Sequence, residues 1–409
     1  MKPVLIIGGG VGGLTLALSL HRAGLPCRVF EAAPEVRALG VGINLLPHGM
    51  RELTELGLQD KLAQVAVETR ELRFYNRFGQ FIYAEPRGRH AGYEWPQLSI
   101  HRADLHEVLL AAVQERLGPD AVALNKKCIS ISGEARAHFE DGSTADGSCI
   151  VGCDGIHSTV RKLLFPGEGP PGYQGINMWR GVTRMKPFLT GASMAVAGWL
   201  EVGKLVVYPI RQLENAAGGV QLVNWVAEIQ SPRNAMQDWN LNGRIEDFYP
   251  TFAQWSFDWL DCAALIRNAD QVLEYPMVDR DPLPYWTRGR VTLLGDAAHP
   301  MYPRGSNGAG QAILDARTLA GMLSRHSSAE QALKQYESAR LKAANDLVIM
   351  NRTNPPDAIL REVWKRSGDR PFERVEDLIS NAELAAMSEA YKRVAGFERD
   401  SLARRGPLA

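Results

Sequence analysis

The spacing of apolar positions near the start of the chain predicts a strand, a helix and a second strand. Residues 4–7 and 27–30 are short apolar runs of the kind found in buried parallel strands. Between them, apolar residues recur at the three-and-four spacing of an amphipathic helix, and Gly24 marks its end. Together the three segments predict a complete β-α-β unit.

A strand followed by a helix is also predicted late in the chain. The apolar run 291–294 stops at Gly295 and Asp296, a glycine-rich loop follows, and residues 311–323 have the spacing of an amphipathic helix. Residues 308–310 should therefore lie at the helix N-terminus, where free backbone N–H groups suit a phosphate or an electron-rich carbonyl. An ordinary strand-to-helix turn is the alternative interpretation.

Other segments of the chain differ from these two in residue composition and in the spacing of apolar positions. Residues 35–50 contain Gly40 and Gly42 in an apolar setting and predict a loop that opens into a helix over residues 50–62. Residues 69–96 alternate in places and predict an antiparallel hairpin, and residues 178–230 are β-rich and aromatic, as in a mixed or antiparallel sheet. Residues 354–409 are charged and helical in pattern. We expect this last part to cover the other domains or to form a dimer contact.

The first helix of the chain is preceded by a dinucleotide-binding pattern, GxGxxG. In this pattern Gly8 permits a tight turn, Gly10 lets a pyrophosphate approach the backbone, and Gly13 allows close packing of helix and strand. Glu31, at the end of the second predicted strand, can accept hydrogen bonds from ribose hydroxyls. The strand, helix and terminal acid together favour dinucleotide binding over a structural glycine turn.

Charged residues stand at two further element ends. Asp154 follows a predicted strand, and Arg102 falls in the first turn of a predicted helix, where the helix dipole disfavours a cation. A nearby phosphate would explain Arg102, and so would a surface salt bridge to Asp104 or Glu107. The sequence leaves both explanations open.

Charge and cysteine content narrow the class of protein. Lys plus Arg and Asp plus Glu balance at 46 each, so no basic field predicts nucleic acid as a partner. The N-terminal apolar run is too short for a signal peptide or a membrane span, which predicts a cytoplasmic protein without a membrane partner. Five scattered cysteines without a CxxC pair disfavour disulfides and a metal site, and we expect no metal.

Three motifs in this order resemble the single-component (group A) FAD-dependent aromatic hydroxylases, such as the para-hydroxybenzoate and salicylate hydroxylases. They are GxGxxG with Glu31, the segment Cys153-Asp154-Gly155, and the segment 295–299 with Pro303. The resemblance spans about residues 1–350. Segments 175–182, 275–284 and 301–303 are similar to the phenazine hydroxylases of pyocyanin formation.

The resemblance implies an α/β fold with a Rossmann-like FAD-binding domain, an inserted mixed or antiparallel β-sheet substrate domain and a C-terminal helical region. We assign residues 1–68, 97–177 and 271–350 to the FAD-binding domain, residues 69–96 and 178–270 to the substrate domain, and residues 351–409 to the helical region.

The resemblance also implies the FAD contacts. The three glycines of GxGxxG would cradle the pyrophosphate, Glu31 would bind the adenosine ribose, Arg102 the phosphate or ribityl chain, and Asp296 the ribityl and pyrophosphate. Asp154 matches a motif that contacts FAD and NAD(P)H. The full expected set is Gly8, Gly10, Val11, Gly12, Gly13, Glu31, Ala32, Val41, Gly42, Arg102, Asp154, Asp296, Gly308 and Ala309.

Substrate contacts are less well defined by the sequence. The candidates are Pro303, Tyr302, Arg180, Tyr208 and His48, although a helix-start role suits His48 better than that of a base. The loop departs from the PPxxGxGxN pattern of the resembled group, with Tyr302, Gly305, Ser306 and Gly310 in place of the usual residues. The phenazine hydroxylases depart similarly, so the departure indicates a subfamily of the resembled group.

The implied activity is hydroxylation of an aromatic or heteroaromatic substrate with O2 and NADH or NADPH, through a flavin C4a-hydroperoxide. The substrate could be a carboxylic acid that loses CO2. Helix-start amides at Gly308 and Ala309 would stabilise the reduced flavin. With a single GxGxxG, the nicotinamide is expected to bind transiently. A flavin dehydrogenase without oxygen insertion and a non-catalytic redox-reporting flavoprotein are the alternatives, and the chain could be a monomer or a homodimer.

Overall fold

The structure is a computed structural model that describes residues 2–35, 40–213, 219–231, 241–404 and 406. Part of the loop predicted over 35–50, namely residues 36–39, lies outside the described residues, as do residues 405 and 407–409 at the end of the predicted helical region.

The described residues form both strands and helices. The strands are β1 (Val4–Ile7), β2 (Cys27–Phe30), β3 (Gly42–Leu45), β4 (Ala66–Glu68), β5 (Glu71–Tyr75), β6 (Phe81–Pro86), β7 (Leu98–His101), β8 (Val122–Ala123), β9 (Cys128–Ser132), β10 (Arg136–Phe139), β11 (Thr144–Asp146), β12 (Cys149–Gly152), β13 (Gly172–Met185), β14 (Ser193–Trp199), β15 (Gly203–Gln212), β16 (Gln221–Gln230), β17 (Leu241–Asn242), β18 (Ser256–Phe257), β19 (Leu260–Asp261), β20 (Ala269–Asp279) and β21 (Val291–Leu293). The α-helices are α1 (Val11–Arg22), α2 (Pro47–Glu55), α3 (Gln59–Ala63), α4 (Arg102–Leu117), α5 (Thr159–Leu164), α6 (Tyr249–Phe252), α7 (Cys262–Arg267), α8 (Gly308–Arg325), α9 (Ala329–Thr353), α10 (Ala358–Ser367), α11 (Asn381–Ala395) and α12 (Arg399–Arg404).

A parallel sheet with strand order β21-β12-β1-β2-β8 forms the centre of the first core. Its middle strand β1 is fully buried and pairs in parallel with β12 and β2, so the predicted β-α-β unit is confirmed. Because Ile7 aligns with both Gly152 and Phe30, the residues that follow these strands meet at one sheet edge. That edge brings together the glycine pattern, Glu31 and Asp154.

A larger mixed sheet has the order β17-β20-β13-β16-β15-β14-β5-β6. The predicted hairpin is the antiparallel pair β5 and β6, and the parallel pairing of β14 with β5 makes the sheet mixed. Strands β13 and β20 are continuous across residues 177/178 and 270/271, where the sequence analysis placed its domain boundaries. Both strands belong to the larger sheet, where they pair with each other from Gly172 and Asp279 to Thr183 and Ala269.

Two smaller features differ from the sequence-based expectation. Residues 42–45 are strand β3 and not loop, because they pair with β7. The helix expected over 50–62 begins earlier, at Pro47, and is divided into α2 and α3 at Gly57, which has a φ of 71°. Proline is favoured in a first helical turn, and this left-handed backbone stops the helix.

Helices α10 to α12 fold back over the rest of the chain. Helix α10 contacts strand β14, and α11 contacts α9. Tyr391 and Phe397 join a buried apolar cluster with Leu46 and Leu347. The C-terminal region therefore covers the other parts of the molecule, which was one of its two expected roles. Within the described residues, no helix combines the length and apolar character needed to cross a bilayer.

Candidate active site

A cavity of about 400 Å³ lies between the carboxyl edge of the parallel sheet and one face of the large sheet. The expected FAD residues that line it are Gly10, Val11, Gly12, Gly42, Arg102, Asp296, Gly308 and Ala309, and the substrate candidates that line it are Arg180, Tyr208 and Pro303. The remaining candidates, which do not line it, are Gly8, Gly13, Glu31, Ala32, Val41, Asp154, Tyr302 and His48.

The glycine pattern leaves space where a cofactor backbone could pass. Gly8 has a φ of 109°, and a Cβ there would lie 2.4 Å from the Cys153 carbonyl oxygen. A Cβ on Gly13 would lie 2.0 Å from the Gly8 oxygen, so both positions require glycine for packing. A Cβ on Gly10 would meet nothing within 4 Å. Gly10 thus opens directly onto the cavity at the start of α1, which fits a pyrophosphate.

Glu31 closes the turn at the end of β2. Its carboxylate accepts hydrogen bonds from the Gly9 N–H at 2.7 Å and from the Ala33 N–H at 2.9 Å, across the exposed Ala32. These bonds hold the acid beside the glycine loop. Carboxylate oxygens can accept further hydrogen bonds, so the arrangement is compatible with a ribose hydroxyl.

The Asp154 carboxylate is hydrogen-bonded to groups of its own chain. It accepts a hydrogen bond from the Ser158 hydroxyl, from the Thr159 N–H at 2.7 Å and from the Val160 N–H at 3.2 Å. These contacts satisfy free amides at the start of α5, as a helix cap does. Burial raises the pKa of the Asp154 carboxyl, and the hydrogen bonds oppose that rise. In this arrangement its visible role is to fix the turn that follows β12.

Arg102 faces the cavity from the first turn of α4. Asp104, one of the salt-bridge partners considered for it, pairs with Arg211, and in the described part of the chain no ion pair joins Arg102 to Asp104 or Glu107. The charge of Asp296 acts on the Arg102 guanidinium across the cavity. The backbone N–H of Arg102 donates a hydrogen bond to the Val41 carbonyl oxygen at 2.9 Å, which ties α4 to the loop before β3.

Asp296 and the start of α8 lie side by side. The helix begins at Gly308, as the spacing of apolar positions predicts, and a Cβ on Gly308 would lie 3.8 Å from the Asp296 carboxylate. Asp296 is exposed to the cavity, and Gly308 and Ala309 are half-buried beside it. A helix N-terminus and a carboxylate thus face the same space, which offers donors to an electron-rich ring and an acceptor to sugar hydroxyls.

Gly42 links the cofactor half of the cavity to the large sheet. Its N–H donates to the Asn224 side-chain oxygen at 2.7 Å, and its carbonyl accepts from Arg180 at 2.8 Å. A Cβ at this position would lie 2.7 Å from Asn224 and from Ile210. Burial raises the pKa of the adjacent Tyr208 hydroxyl, and Arg180 opposes that rise. Asn224 was missed by the sequence analysis because its partner is 182 residues away in the chain.

Two of the substrate candidates lie behind the cavity wall. His48 is fully buried at the second position of α2, where its ring stacks on Phe397 at 5.4 Å and contacts Gly310. Tyr302 is buried beside Asp279, and burial raises the pKa of its hydroxyl. Pro303, the next residue, is exposed and lines the cavity.

The face of the large sheet that lines the cavity is apolar at its centre. Val206 pairs with Val226, and side chains from neighbouring strands extend this surface, namely Leu72, Phe74, Met178, Met194 and Val196. We call these seven residues the apolar wall. A continuous apolar surface favours a planar aromatic ligand and excludes water from one side of the cavity.

Beside the apolar wall lies a buried charge cluster. Lys204 contacts the Glu228 carboxylate at 2.8 Å and the Asp357 carboxylate, and all three residues line the cavity. The charges of Lys204 and Arg304 oppose the effect of burial and lower the pKa of Asp357. Neither Lys204 nor Asp357 could be singled out from the sequence, since 153 residues separate them.

Comparisons with known proteins agree with this geometry. The FAD binding domain family matches residues 1–197 and 274–351. The chain is 40% identical over 404 residues to the phenazine 1,6-dicarboxylic acid hydroxylase PhzS of Lysobacter antibioticus, covering 96% of each chain. It is 36% identical over 350 residues to the 3-amino-4-hydroxybenzoate 2-monooxygenase of Streptomyces cremeus, covering 83% of each.

The fold is also that of solved structures. A variant of Klebsiella pneumoniae HpxO complexed with FAD superposes with a TM-score of 0.77 at 23% identity, covering all of both chains. The 2,6-dihydroxypyridine-3-hydroxylase of Arthrobacter nicotinovorans gives a TM-score of 0.69 at 23% identity, covering 90% of this chain and 92% of that one. With its FAD binding domain and its curated relatives, the chain belongs to the FAD-dependent aromatic monooxygenases.

Proposed function

We propose that this enzyme hydroxylates a fused-ring or heteroaromatic carboxylic acid, using FAD, O2 and NADH or NADPH. The observation that carries the proposal is that one cavity joins the glycine loop and the α8 N-terminus to an apolar wall with cationic side chains at its edge. Relatives named for a phenazine dicarboxylic acid and for aminohydroxybenzoate support an aromatic acid as substrate.

The residues of the chain divide the work of binding. We assign Gly10 and its neighbours in the GxGxxG pattern to the FAD pyrophosphate, and Glu31 to the adenosine ribose. Arg102 would neutralise phosphate charge, and Asp296 would accept from the ribityl hydroxyls. The assignments of Gly10, Arg102 and Asp296 rest on the space above Gly10 and on the lining of the cavity. The assignment of Glu31 rests on its hydrogen bond to the glycine loop.

When bound, FAD supplies the electron transfer and the oxygen chemistry. The chain supplies hydrogen-bond donors, orients the substrate and excludes water from the site. The N–H groups of Gly308 and Ala309 point from a helix start towards the space beside Asp296, where they favour developing negative charge. The apolar wall keeps water from the reacting atoms and holds an aromatic ring flat. Pro303 and Tyr208 would contact the substrate at the border between the two halves.

The overall reaction balances in two forms. In direct hydroxylation, ArH, O2, NAD(P)H and H⁺ give ArOH, H2O and NAD(P)⁺. In decarboxylative hydroxylation, ArCOOH replaces ArH and CO2 is released as an additional product. Either form consumes one nicotinamide, which we propose binds transiently because the chain has a single GxGxxG pattern.

The test is turnover under ¹⁸O2 with a panel of aromatic acids, phenols and phenazines, followed by mass analysis of the product. We expect NAD(P)H oxidation that depends on the aromatic compound and a product that carries one ¹⁸O atom. A product without ¹⁸O would identify a dehydrogenase. Absence of aromatic-stimulated NAD(P)H turnover would identify a redox-reporting flavoprotein. The product mass also separates direct from decarboxylative hydroxylation.

Location, assembly and domain division complete the proposal. We propose a cytoplasmic protein, supported by five cysteines that are all free thiols, and a monomer or homodimer, which light scattering can distinguish. We retain the division into an FAD-binding domain, a β-sheet substrate domain and a C-terminal helical region. Limited proteolysis with and without FAD would test it, since the cofactor should protect the first domain.

A further inference from the structure

A group of polar side chains outside the FAD half is held in place by one buried carboxylate. Glu85, on β6, is 5% exposed. It accepts a hydrogen bond from the Ser388 hydroxyl at 2.6 Å, contacts the Lys392 ammonium at 2.9 Å and pairs with Arg87. Ser388 and Lys392 lie on α11, 303 and 307 positions further along the chain.

The cations of this group face the cavity, whereas the carboxylate does not. Arg87, Ser388 and Lys392 are among the residues that line the cavity, and Glu85 lies behind them. Two cations that are only partly exposed therefore share one buried anion. Lys392 also contacts Glu389 at 2.7 Å, but that carboxylate is half exposed to solvent and is therefore largely screened.

Two donors or acceptors in this corner have no partner in the described part of the chain. The Arg87 Nε is buried without a hydrogen bond, and so is the side-chain oxygen of Gln97, a residue that is 2% exposed and lines the cavity. A Cβ on Gly88 would lie 2.3 Å from the backbone nitrogen of Gln97, so the turn after Arg87 packs directly on the Gln97 backbone. Buried polar atoms are normally hydrogen-bonded. A carboxylate could accept from the Arg87 N–H, whereas the Gln97 oxygen is itself an acceptor and would need a donor from another part of the ligand.

We propose that Arg87, Lys392 and the amide nitrogen of Gln97 form a carboxylate-binding subsite for the aromatic substrate. Arginine, lysine and amide donors converge there, and Glu85 acts as a positioning residue that holds the two cations side by side. The subsite rests on the proposed function, because it assumes that the aromatic substrate occupies this cavity. It also gives the C-terminal region a part in substrate selection, through α11.

The position of the subsite constrains the shape of the substrate. Glu85 pairs with Leu72 of the apolar wall, so the subsite adjoins the aromatic-binding surface. Strand β6 is three strands from β15, which carries Tyr208 at the border of the FAD half, or about 14 Å between backbones. An extended, fused-ring acid spans this distance better than a single ring. Its carboxylate would lie at the end of the molecule that is remote from the flavin.

The experiment measures binding to the oxidised holoenzyme by calorimetry, without NAD(P)H. The probes are phenazine 1,6-dicarboxylate and unsubstituted phenazine, and the variants are Arg87→Met and Lys392→Met. Loss of a charge-assisted hydrogen bond should raise the Kd of the dicarboxylate by about 10-fold to 100-fold in each variant. The Kd of phenazine should change by less than about 2-fold, because only the apolar wall binds it. Lys392→Arg should restore most of the affinity.

Lys342→Met is the matched control, since this lysine is on the exposed face of α9 and pairs only with Asp346 among the described residues. The subsite is disproved if the dicarboxylate Kd shifts no more in the two variants than in the control, if phenazine binding weakens equally, or if the wild type does not bind the dicarboxylate. Failure of the ¹⁸O2 assay alongside charge-dependent binding would overturn only the proposed function. Turnover of neutral phenazine as efficient as that of the acid would overturn only the subsite.

Discussion

The Nε2 atom of His299 and the carboxylate of Asp315 lie 2.6 Å apart, and both side chains are fully buried. The same Asp315 oxygen accepts the Gly295 N–H at 3.1 Å, and the other oxygen accepts from Arg340 at 2.7 Å. Asp315 is on α8, two turns after its start at Gly308. One carboxylate thus fixes the loop that carries Asp296 against the helix whose N-terminus faces the cavity.

Replacement of Asp315 by asparagine should destabilise the protein and weaken FAD binding together. Breaking a buried ion pair leaves an unpaired charge, here on Arg340, and costs about 3–5 kcal/mol. We expect a lower free energy of unfolding in urea and a lower FAD content after purification. Asp346→Asn, on the exposed side of α9, is the control and should change neither. Normal FAD content in Asp315→Asn would show that the carboxylate serves stability alone.

The contribution of Asp315 should depend on pH in a specified direction. Burial raises its pKa, but His299 and Arg340 outweigh burial and lower the pKa from 3.8 to about 2. A carboxyl whose folded pKa is lowered contributes stability above its ordinary pKa and loses it as the pH falls towards the folded value. The difference in unfolding free energy between wild type and Asp315→Asn should therefore be constant above about pH 5 and should shrink between about pH 4 and 2. A difference that stays unchanged down to pH 2 would contradict the assignment.

Local patterns in the sequence were sufficient to predict the strands and the helix start in the cofactor half of the site. The strands over 4–7 and 27–30 and the start of α8 at Gly308 have the predicted positions, because glycine spacing and apolar periodicity are properties of adjacent residues. The same reasoning placed Arg102 at a helix start but left its partner open. Only the folded chain shows that Asp104 pairs with Arg211 and that Asp296 and Arg102 line the same cavity.

The substrate half depends on pairings that no local pattern encodes. Asn224 reaches Gly42 across 182 residues, and Ser388 reaches Glu85 across 303 residues. A polar residue within a strand or on a charged helix is usually solvated, so neither position stands out in the sequence. Conversely, His48 was among the substrate candidates predicted from the sequence, and the fold buries it against Phe397, away from the cavity lining.

Gly10→Ala tests whether the space at the start of α1 belongs to the pyrophosphate. A Cβ at this position meets no protein atom within 4 Å, and the φ of −76° suits alanine. The melting temperature of the apoprotein should therefore stay close to that of the wild type, while the Kd for FAD rises by about 10-fold or more. Gly167→Ala, at an exposed position that is also open, should leave both values unchanged. Unaltered FAD affinity in Gly10→Ala would place the pyrophosphate elsewhere.

The second pH-dependent prediction concerns Lys204. Its ammonium group contacts two buried carboxylates, those of Glu228 and Asp357. Lys204→Met should lower the free energy of unfolding by about 3–5 kcal/mol at pH 7, since Glu228 and Asp357 would remain buried without their cation. In the wild type the pKa of Asp357 is lowered, so its contribution is present above its ordinary pKa of 3.8.

The sign of this pH dependence distinguishes the charge cluster from simple packing. Without Lys204, burial should raise the pKa of the Asp357 carboxyl, so a proton taken up on acidification stabilises the folded variant. The deficit of Lys204→Met relative to wild type should thus be largest near pH 7 and smaller at pH 5, measured by urea unfolding at each pH. The exposed-pair control Lys342→Met should lose less than about 1 kcal/mol at both values. A deficit for Lys204→Met that is equal at pH 7 and pH 5 would mean that the lysine acts through its aliphatic stem, since packing loss does not titrate.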